Sequence, residues 1–319
     1  MSKYDETPLV FILGAGRSGT NLLTFAFNAE SPDFGNLGEN RYIWTKGQAD
    51  PSDDRRRATE VTPRLRRYLH RHFALRARRF DGPATVFLDK TPSNAFRISF
   101  AAEIFPKAKF IHIIRDGRDN LLSRSRQWKA QEPNEAAASE PMSALAGKLR
   151  FLRGRFATLR LLLREGALPA DRIPAILRES ARRQILPLLT GRSVMYGERV
   201  PGLDRVLAEE GVDAAAIVQW RESVMTAHRD GAALGPERYL ELRYESFIAD
   251  PVGEWHRIMA FLGRAPSGAG DAWLVKNVME RNSHKWVDPE AVTRISRVER
   301  HLRPALEDLG YGWDIEATR

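Results

Sequence analysis

The sequence predicts an α/β fold, three-layered, with a central mostly parallel sheet and helical insertions. Three observations carry that expectation. Short runs rich in apolar residues, Leu9–Leu13, 85–88 and Lys109–Ile114, each end in a glycine-rich or charged turn. A segment with helical periodicity follows each run, and strands alternating with helices argue for parallel pairing. Runs that are apolar almost throughout, rather than alternating, belong to strands buried on both faces.

The elements follow in order. Leu9–Leu13 ends in Gly14-Ala15-Gly16-Arg17-Ser18-Gly19-Thr20, after which Leu22, Leu23, Phe25, Ala26 and Phe27 suit a helix packed on the sheet. The second strand leads into Asp89-Lys90-Thr91-Pro92 and an amphipathic stretch through Arg97, Ile98, Ala101 and Ile104. The third runs into Arg115-Asp116-Gly117-Arg118-Asp119, with a helix expected from about Asn120 and a serine, Ser123, eight residues after Arg115. A fourth strand is expected at 239–244, ahead of a helix at 255–263. Between about 130 and 230 the chain is rich in Ala, Leu and Arg and lacks strand runs. It reads as a helical insertion in a single domain spanning 1–319. The basic residues Lys148, Arg150, Arg153, Arg155, Arg160 and Arg164 there suit either a basic groove or a solvated helix surface, as does the stretch from Arg55 to Arg79.

Composition narrows the function. The 319 residues are 43% hydrophobic, enough for a substantial core, and include no cysteine. That excludes disulfides, thiolate metal sites and cysteine nucleophiles, and it suits a reducing compartment. The run Leu9–Leu13 is too short for a signal-peptide core, and no later stretch reaches the roughly 18 apolar residues of a membrane span. A soluble, cytoplasmic protein is expected. The formal charge of +9 favours an anionic ligand, although solubility alone also explains it. No zinc-finger spacing or RNP-type aromatic motif points to nucleic acid. No metal-ligand cluster is evident among the seven histidines.

The loop from Gly14 to Thr20 has the glycine spacing of a phosphate-binding P-loop, GxxxxGK[ST], in which backbone amides approach an anion. Thr20 stands where a nucleotide triphosphatase needs its lysine, and the nearest cation is Arg17. Arg115 ends a strand, where open α/β sheets bind ligands, and an arginine fork with a nearby hydroxyl suits a terminal phosphate. A charged strand-to-helix turn remains the alternative there. Asp89 after an apolar strand also fits a Walker B aspartate, which supports a P-loop kinase or hydrolase.

Taken together, these segments resemble a known family. Arg17-Ser18-Gly19-Thr20-Asn21 resembles the 5′-phosphosulfate loop of sulfotransferases that use 3′-phosphoadenosine 5′-phosphosulfate (PAPS), particularly the branch with tyrosylprotein sulfotransferases and many bacterial enzymes. Arg115 and Ser123 match its 3′-phosphate motif, and Asp89-Lys90-Thr91-Pro92 its (E/D/N)K(T/S/D)P segment. Ser283-His284-Lys285-Trp286 and Leu309-Gly310-Tyr311 match its C-terminal end, and Arg243-Tyr244-Glu245 a recurrent, more structural segment.

The resemblance implies a P-loop-like fold and transfer of a sulfuryl group from PAPS to an acceptor hydroxyl by in-line displacement, without a metal. It implies that Arg17, Ser18, Gly19, Thr20 and Asn21 cradle the 5′-phosphosulfate. Lys90 would sit at the leaving oxygen, with Arg115 and Ser123 on the 3′-phosphate and Ser283 and Lys285 as further cofactor contacts. Glu39, in a Gly-Glu pair 22 residues after Arg17, falls where that branch carries its general base. His112 is an alternative base by residue type, although its mid-strand position also suits a core histidine. A kinase-like enzyme and a non-enzymatic binder of an anionic partner are the competing readings. The acceptor and the oligomeric state are not encoded in any motif.

Overall fold

The structure, a computed structural model, describes residues 8–80, 84–131, 166, 168–174, 176–178, 197–278, 285–313 and 315. Five strands, β1 (Leu9–Leu13), β2 (Phe34–Asn36), β3 (Val86–Asp89), β4 (Lys109–Ile114) and β5 (Tyr239–Arg243), form one sheet in the order β2-β3-β1-β4-β5. Every neighbouring pair is parallel. Helix α1 (Thr20–Glu30) joins β1 to β2. The short α2 (Arg41–Trp44) and α3 (Pro63–Ala77) lead to β3, and α4 (Ile98–Ile104) leads to β4. Between β4 and β5 lie α5 (Gly117–Gln131), α6 (Leu203–Glu210) and α7 (Val212–Ala232). After β5 come α8 (Tyr244–Ala249), α9 (Pro251–Leu262), α10 (Ala269–Asn277), α11 (Pro289–Arg297) and α12 (Glu299–Asp308).

The three layers follow from the side-chain alternation of the strands. Leu9, Phe11 and Phe110 enter one core with Trp44, Phe73, Phe100 and Phe105, where the Phe11 and Phe110 rings stack at 4.8 Å. Val10, Ile12, Ile111 and Ile113 enter the opposite core with Leu23, Phe27, Trp255 and Ile258. β1 is buried along its whole length, which is why its sequence is apolar without alternation. A further cluster packs Leu121, Trp220, Ile295 and Leu302 beside the carboxyl end of β4.

Local chemistry sets the helix starts. Thr62, Asp250 and Asp288 accept hydrogen bonds from Leu65, Gly253 and Glu290 main-chain N–H groups, and each is followed by proline at the first helical position. At α5, Asp116 Oδ1 accepts from the Arg118 N–H at 2.8 Å, so the helix opens at Gly117 rather than near Asn120. Ser123 therefore lies in the second turn of α5. The C-terminal segment forms two helices, α11 and α12, which meet at Val298. Strand β2, only Phe-Gly-Asn, carries no apolar run that would announce it. The basic residues between 148 and 164 lie outside the described residues.

Chain order makes the crevice. After β1 the chain crosses toward the β2 edge, and after β4 it proceeds toward β5 at the other edge. The connections thus diverge outside the carboxyl ends of β1 and β4, the place where open α/β sheets hold ligands. Close packing there demands glycine at Gly19 and Gly117, among other positions. Gly19, at the N-cap of α1, has φ of 100°, and a Cβ would lie 2.7 Å from Tyr244 Cδ2. At Gly117 a Cβ would lie 2.6 Å from Leu302 Cδ1 and 2.8 Å from Trp220 Cη2. Gly117→Ala is expected to cost about 1–3 kcal/mol through overpacking. A urea titration reads this as a lower midpoint at unchanged slope, and a wild-type midpoint would contradict the packing account.

Candidate active site

The loop after β1 is held from below and open above. Ser18 is buried, its N–H donates to Ala15 O at 3.0 Å, and its Oγ accepts from Asn120 Nδ2 at 3.2 Å. Arg17, by contrast, is exposed and occupies the left-handed region at φ 73°. The first main-chain bond of α1 runs from Leu23 N to Gly19 O, so the preceding amides of the first turn have no intrahelical acceptor. No side chain caps this end, and no acidic residue stands in the first turn. Thr20 and Asn21 open the helix here. An end of this kind, beside a guanidinium, fits an anion.

The segment after β4 meets the same loop. Arg115 Nη1 donates to Arg17 O at 3.1 Å, and Arg17 Nε donates to Ser123 Oγ at 3.1 Å. The Arg115 guanidinium lies over the Tyr244 ring at 4.6 Å, with Nη2 3.9 Å from Asp119 Oδ2. Asp119 Oδ1 accepts from the Lys285 N–H at 2.8 Å, and Arg118, paired with Asp116, stacks on Trp286 at 3.7 Å. The Lys285-Trp286 pair thus docks on the first turn of α5. Ser283 lies outside the described residues. Glu245 Oε1 accepts from the Asp116 N–H at 3.0 Å, and burial pushes its carboxyl up from the usual range.

Glu39 and Lys90 face each other on adjacent loops. Lys90 Nζ donates to Glu39 Oε1 at 2.5 Å, with the lysine largely buried and the glutamate side chain 54% exposed. The frame beneath them is Asp89. Its carboxylate accepts from Thr91 Oγ1 at 2.6 Å, Trp44 Nε1 at 2.8 Å, Asn94 Nδ2 at 3.1 Å and Asn40 Nδ2 at 3.2 Å. Asn40 N also donates to Thr91 Oγ1 at 2.8 Å, and Lys90 N to Gly38 O at 3.1 Å. These bonds clamp the Gly38–Asn40 turn to the end of β3. Asp89 is fully enclosed and serves four protein donors, the opposite of a Walker B aspartate turned toward a metal ion.

His112 sits in the sheet interior. Its Nδ1 is 2.7 Å from Tyr239 Oη, which donates to Glu241 Oε2 at 2.8 Å, and His228 Nδ1 lies 2.7 Å from the same oxygen. Burial holds His112 below its ordinary value, opposed by Glu241. Burial pushes the Glu241 carboxyl up, but the His112 ring 3.7 Å away and the bonds from His228 and Tyr239 outweigh it and bring it down to about 2. Asn120, Arg124, Tyr244 and Glu198 also contact the loop or Arg115, although no motif in the sequence marks the first two or the last. Among the described residues, no group of three or more His, Asp or Glu is placed to hold a metal, and no helix is long and apolar enough to cross a membrane.

Comparison with known proteins gives this geometry its family. The chain matches the sulfotransferase family over residues 8–176 and 192–266, a span that includes the Gly14–Thr20 loop, Glu39, Lys90 and Arg115. This chain belongs to the sulfotransferase family. A protein-tyrosine sulfotransferase of Drosophila melanogaster is 32% identical to it over 128 residues, which is 37% of this chain and 25% of that protein. The chain thus spans only a quarter of the length of the curated relative it matches. Among solved structures, the sulfotransferase domain of the Synechococcus PCC 7002 olefin synthase is 17% identical at a TM-score of 0.47, covering 96% of this chain and 95% of that one. A sulfotransferase from Alicyclobacillus acidocaldarius is 16% identical at 0.45, covering 98% of both chains. A mouse sulfotransferase complexed with PAP, the desulfated nucleotide, is 12% identical at 0.41, covering 98% of this chain and 88% of that one.

The His112 network makes a pH prediction. His112 is lowered from 6.5 and Glu241 from 4.5, so each contributes stability that is present above those values and lost as pH falls. The protein should therefore lose stability through His112 on acidification from pH 7 to 5, and His112→Asn should lose less of it. Thermal unfolding across that range reads the difference, and parallel curves for the two proteins would contradict it.

Proposed function

We propose that this sulfotransferase moves a sulfuryl group from PAPS to an acceptor hydroxyl. The observation that carries the reading is the junction of its two basic segments. Arg17 bonds Ser123, and Arg115 bonds the Arg17 carbonyl, so groups suited to the two ends of one doubly anionic nucleotide share a crevice. When bound, PAPS supplies the activated sulfuryl group.

The residues divide the remaining work. The Arg17 guanidinium and the main-chain amides of Gly19, Thr20 and Asn21 hold the 5′-phosphosulfate, with Ser18 setting the turn. Arg115, kept flat on Tyr244, and Ser123 hold the 3′-phosphate. Lys285, anchored through its main chain to Asp119, and Ser283 are further contacts to the nucleotide. The Lys90 ammonium steadies charge on the leaving phosphate oxygen. Glu39 takes the proton of the attacking hydroxyl. The Lys90–Glu39 ion pair keeps cation and base in register before the substrates arrive, and drawing Lys90 toward the donor releases Glu39 for the acceptor. Displacement is in line, and catalysis rests on positioning and charge. No step is routed through a metal.

Two variants test the assignment. Arg115→Ala should weaken PAP binding about 10–100-fold, the worth of a charge-assisted contact, while adenosine 5′-phosphosulfate, which lacks the 3′-phosphate, loses little. Equal losses for both ligands in calorimetry would remove Arg115 from the 3′-phosphate. Glu39→Gln should lower turnover of PAPS with an accepting hydroxyl compound about 10²–10⁴-fold and leave PAP affinity unchanged or slightly tighter. Retained turnover would exclude Glu39 as the base.

A further inference from the structure

A buried ion pair that the reaction scheme does not use holds the phosphate loop by its main chain. Gly16 N donates to Glu198 Oε1 at 3.0 Å. On the other side, Gly16 O accepts from Asn120 Nδ2 at 2.9 Å and from Arg124 Nη2 at 3.1 Å. Arg124 Nη1 closes the ring by donating to Glu198 Oε2 at 3.2 Å. Both polar atoms of Gly16, the residue before Arg17, are thereby fixed by α5 and by a carboxylate 182 positions away. The Arg124 and Glu198 side chains are 4% and 3% exposed. Gln219 of α7 supports them, accepting from Arg124 and donating to Glu198 O at 2.6 Å.

Glu198 is itself anchored through its neighbour. Arg199 N donates to Asp54 Oδ2 at 2.7 Å, Arg199 Nη2 reaches Asp54 Oδ1 at 3.1 Å, and Asp54 N returns a bond to Arg199 O at 3.0 Å. Asp54, fully buried, also pairs with Arg97 at 3.2 Å. The Glu198-Arg199 dipeptide is therefore a latch between the phosphate loop and Asp54 of the α2–α3 connection, which Arg97 in turn ties to the segment after β3.

We propose that Glu198 and Arg124 are positioning residues of the donor site, acting as a charge-balanced clamp on Gly16. This rests on the reading of the loop as the 5′-phosphosulfate cradle. A carboxylate gives the Gly16 N–H a strong acceptor, but it also sets a negative charge beside a loop that receives a polyanion. Arg124 cancels that charge and at the same time holds the Gly16 carbonyl. The two functions separate by mutation. Glu198→Gln keeps an oxygen acceptor for Gly16 and removes the charge. Arg124→Met keeps the length of the side chain and leaves the carboxylate buried and uncompensated, the costly way to break such a pair.

The test is calorimetric titration of PAP into the full chain and three variants, with ligand-free thermal unfolding as the check on folding. Arg124→Met should weaken PAP about 100-fold and Glu198→Gln less than about fivefold. The double variant should recover to within about tenfold of wild type, because removing the stranded charge restores the loop's welcome for an anion. A merely structural pair predicts the reverse, a double variant no better than Arg124→Met. Should Arg124→Met fail to fold, Arg124→Lys retains the charge without the fork, and it should fall between wild type and tenfold weaker. Wild-type binding with no loss in Arg124→Met, a loss beyond tenfold in Arg124→Lys, or no recovery in the double variant overturns the clamp alone. Absence of PAP binding to the wild type overturns the donor-site reading and the clamp with it.

Discussion

The parallel seating of β1 between β3 and β4 is the constraint on which the rest of the structure depends. Phe11 pairs with Asp89 and Leu13 with His112, so the three strands deliver their exits to the same, carboxyl end of the sheet. From β1 comes the Gly14–Asn21 loop, from β3 comes Lys90, and from β4 comes Arg115. Because both faces are buried, a one-residue slip would turn Phe11 out of the aromatic core and drive it into the Val10 and Ile12 side. Core packing therefore determines site geometry. The Phe11–Phe110 stack and the Arg115–Arg17 hydrogen bond are two consequences of the same register.

Electrostatics completes what register begins. Much of the charge around the crevice is spent on the protein itself. Asp89 is enclosed by four donors, Asp116 is bonded twice over by Arg118, and Arg124 is matched by Glu198. Such buried pairs add little net stability, but breaking one side of them is expensive, so they hold loops in defined positions. Arg17 and Glu39 are different, because both reach solvent at the rim. The division is between charges enclosed to shape the loops and charges left open to solvent.

What was legible in the sequence follows the range of the interactions. β1, β3 and β4 are readable because strands buried on both faces need apolar runs, β5 from its Tyr-Leu-Glu-Leu-Arg stretch ahead of a helical pattern, and the glycine loop because its turn demands Gly14 and Gly19. β2 is not, since three residues with a central glycine carry no period. The start of α5 is hidden in the sequence because its cap, Asp116, stands inside what reads as a charged turn. Arg17, Ser123, Glu39, Lys90 and Arg115 were named from local motifs. Glu198 could not be, because its partner is 182 positions away and no spacing rule connects them. Asn40 and Trp44 were likewise hidden as holders of Asp89. The recurrent Arg243-Tyr244-Glu245 segment was visible, but only the fold shows Tyr244 under Arg115 and Glu245 on the Asp116 amide.

The central claim is that the crevice beyond β1 and β4 is built for a nucleotide with anions at both its 5′ and 3′ positions. Its most direct test is titration of the unmodified chain with PAP in the presence of a chelator, set against ATP with Mg²⁺. Saturable, metal-independent binding of PAP with little response to ATP is the predicted result. A preference for ATP with Mg²⁺ would contradict it, and would return the Gly14–Thr20 loop to the nucleotide kinases and hydrolases whose lysine it lacks.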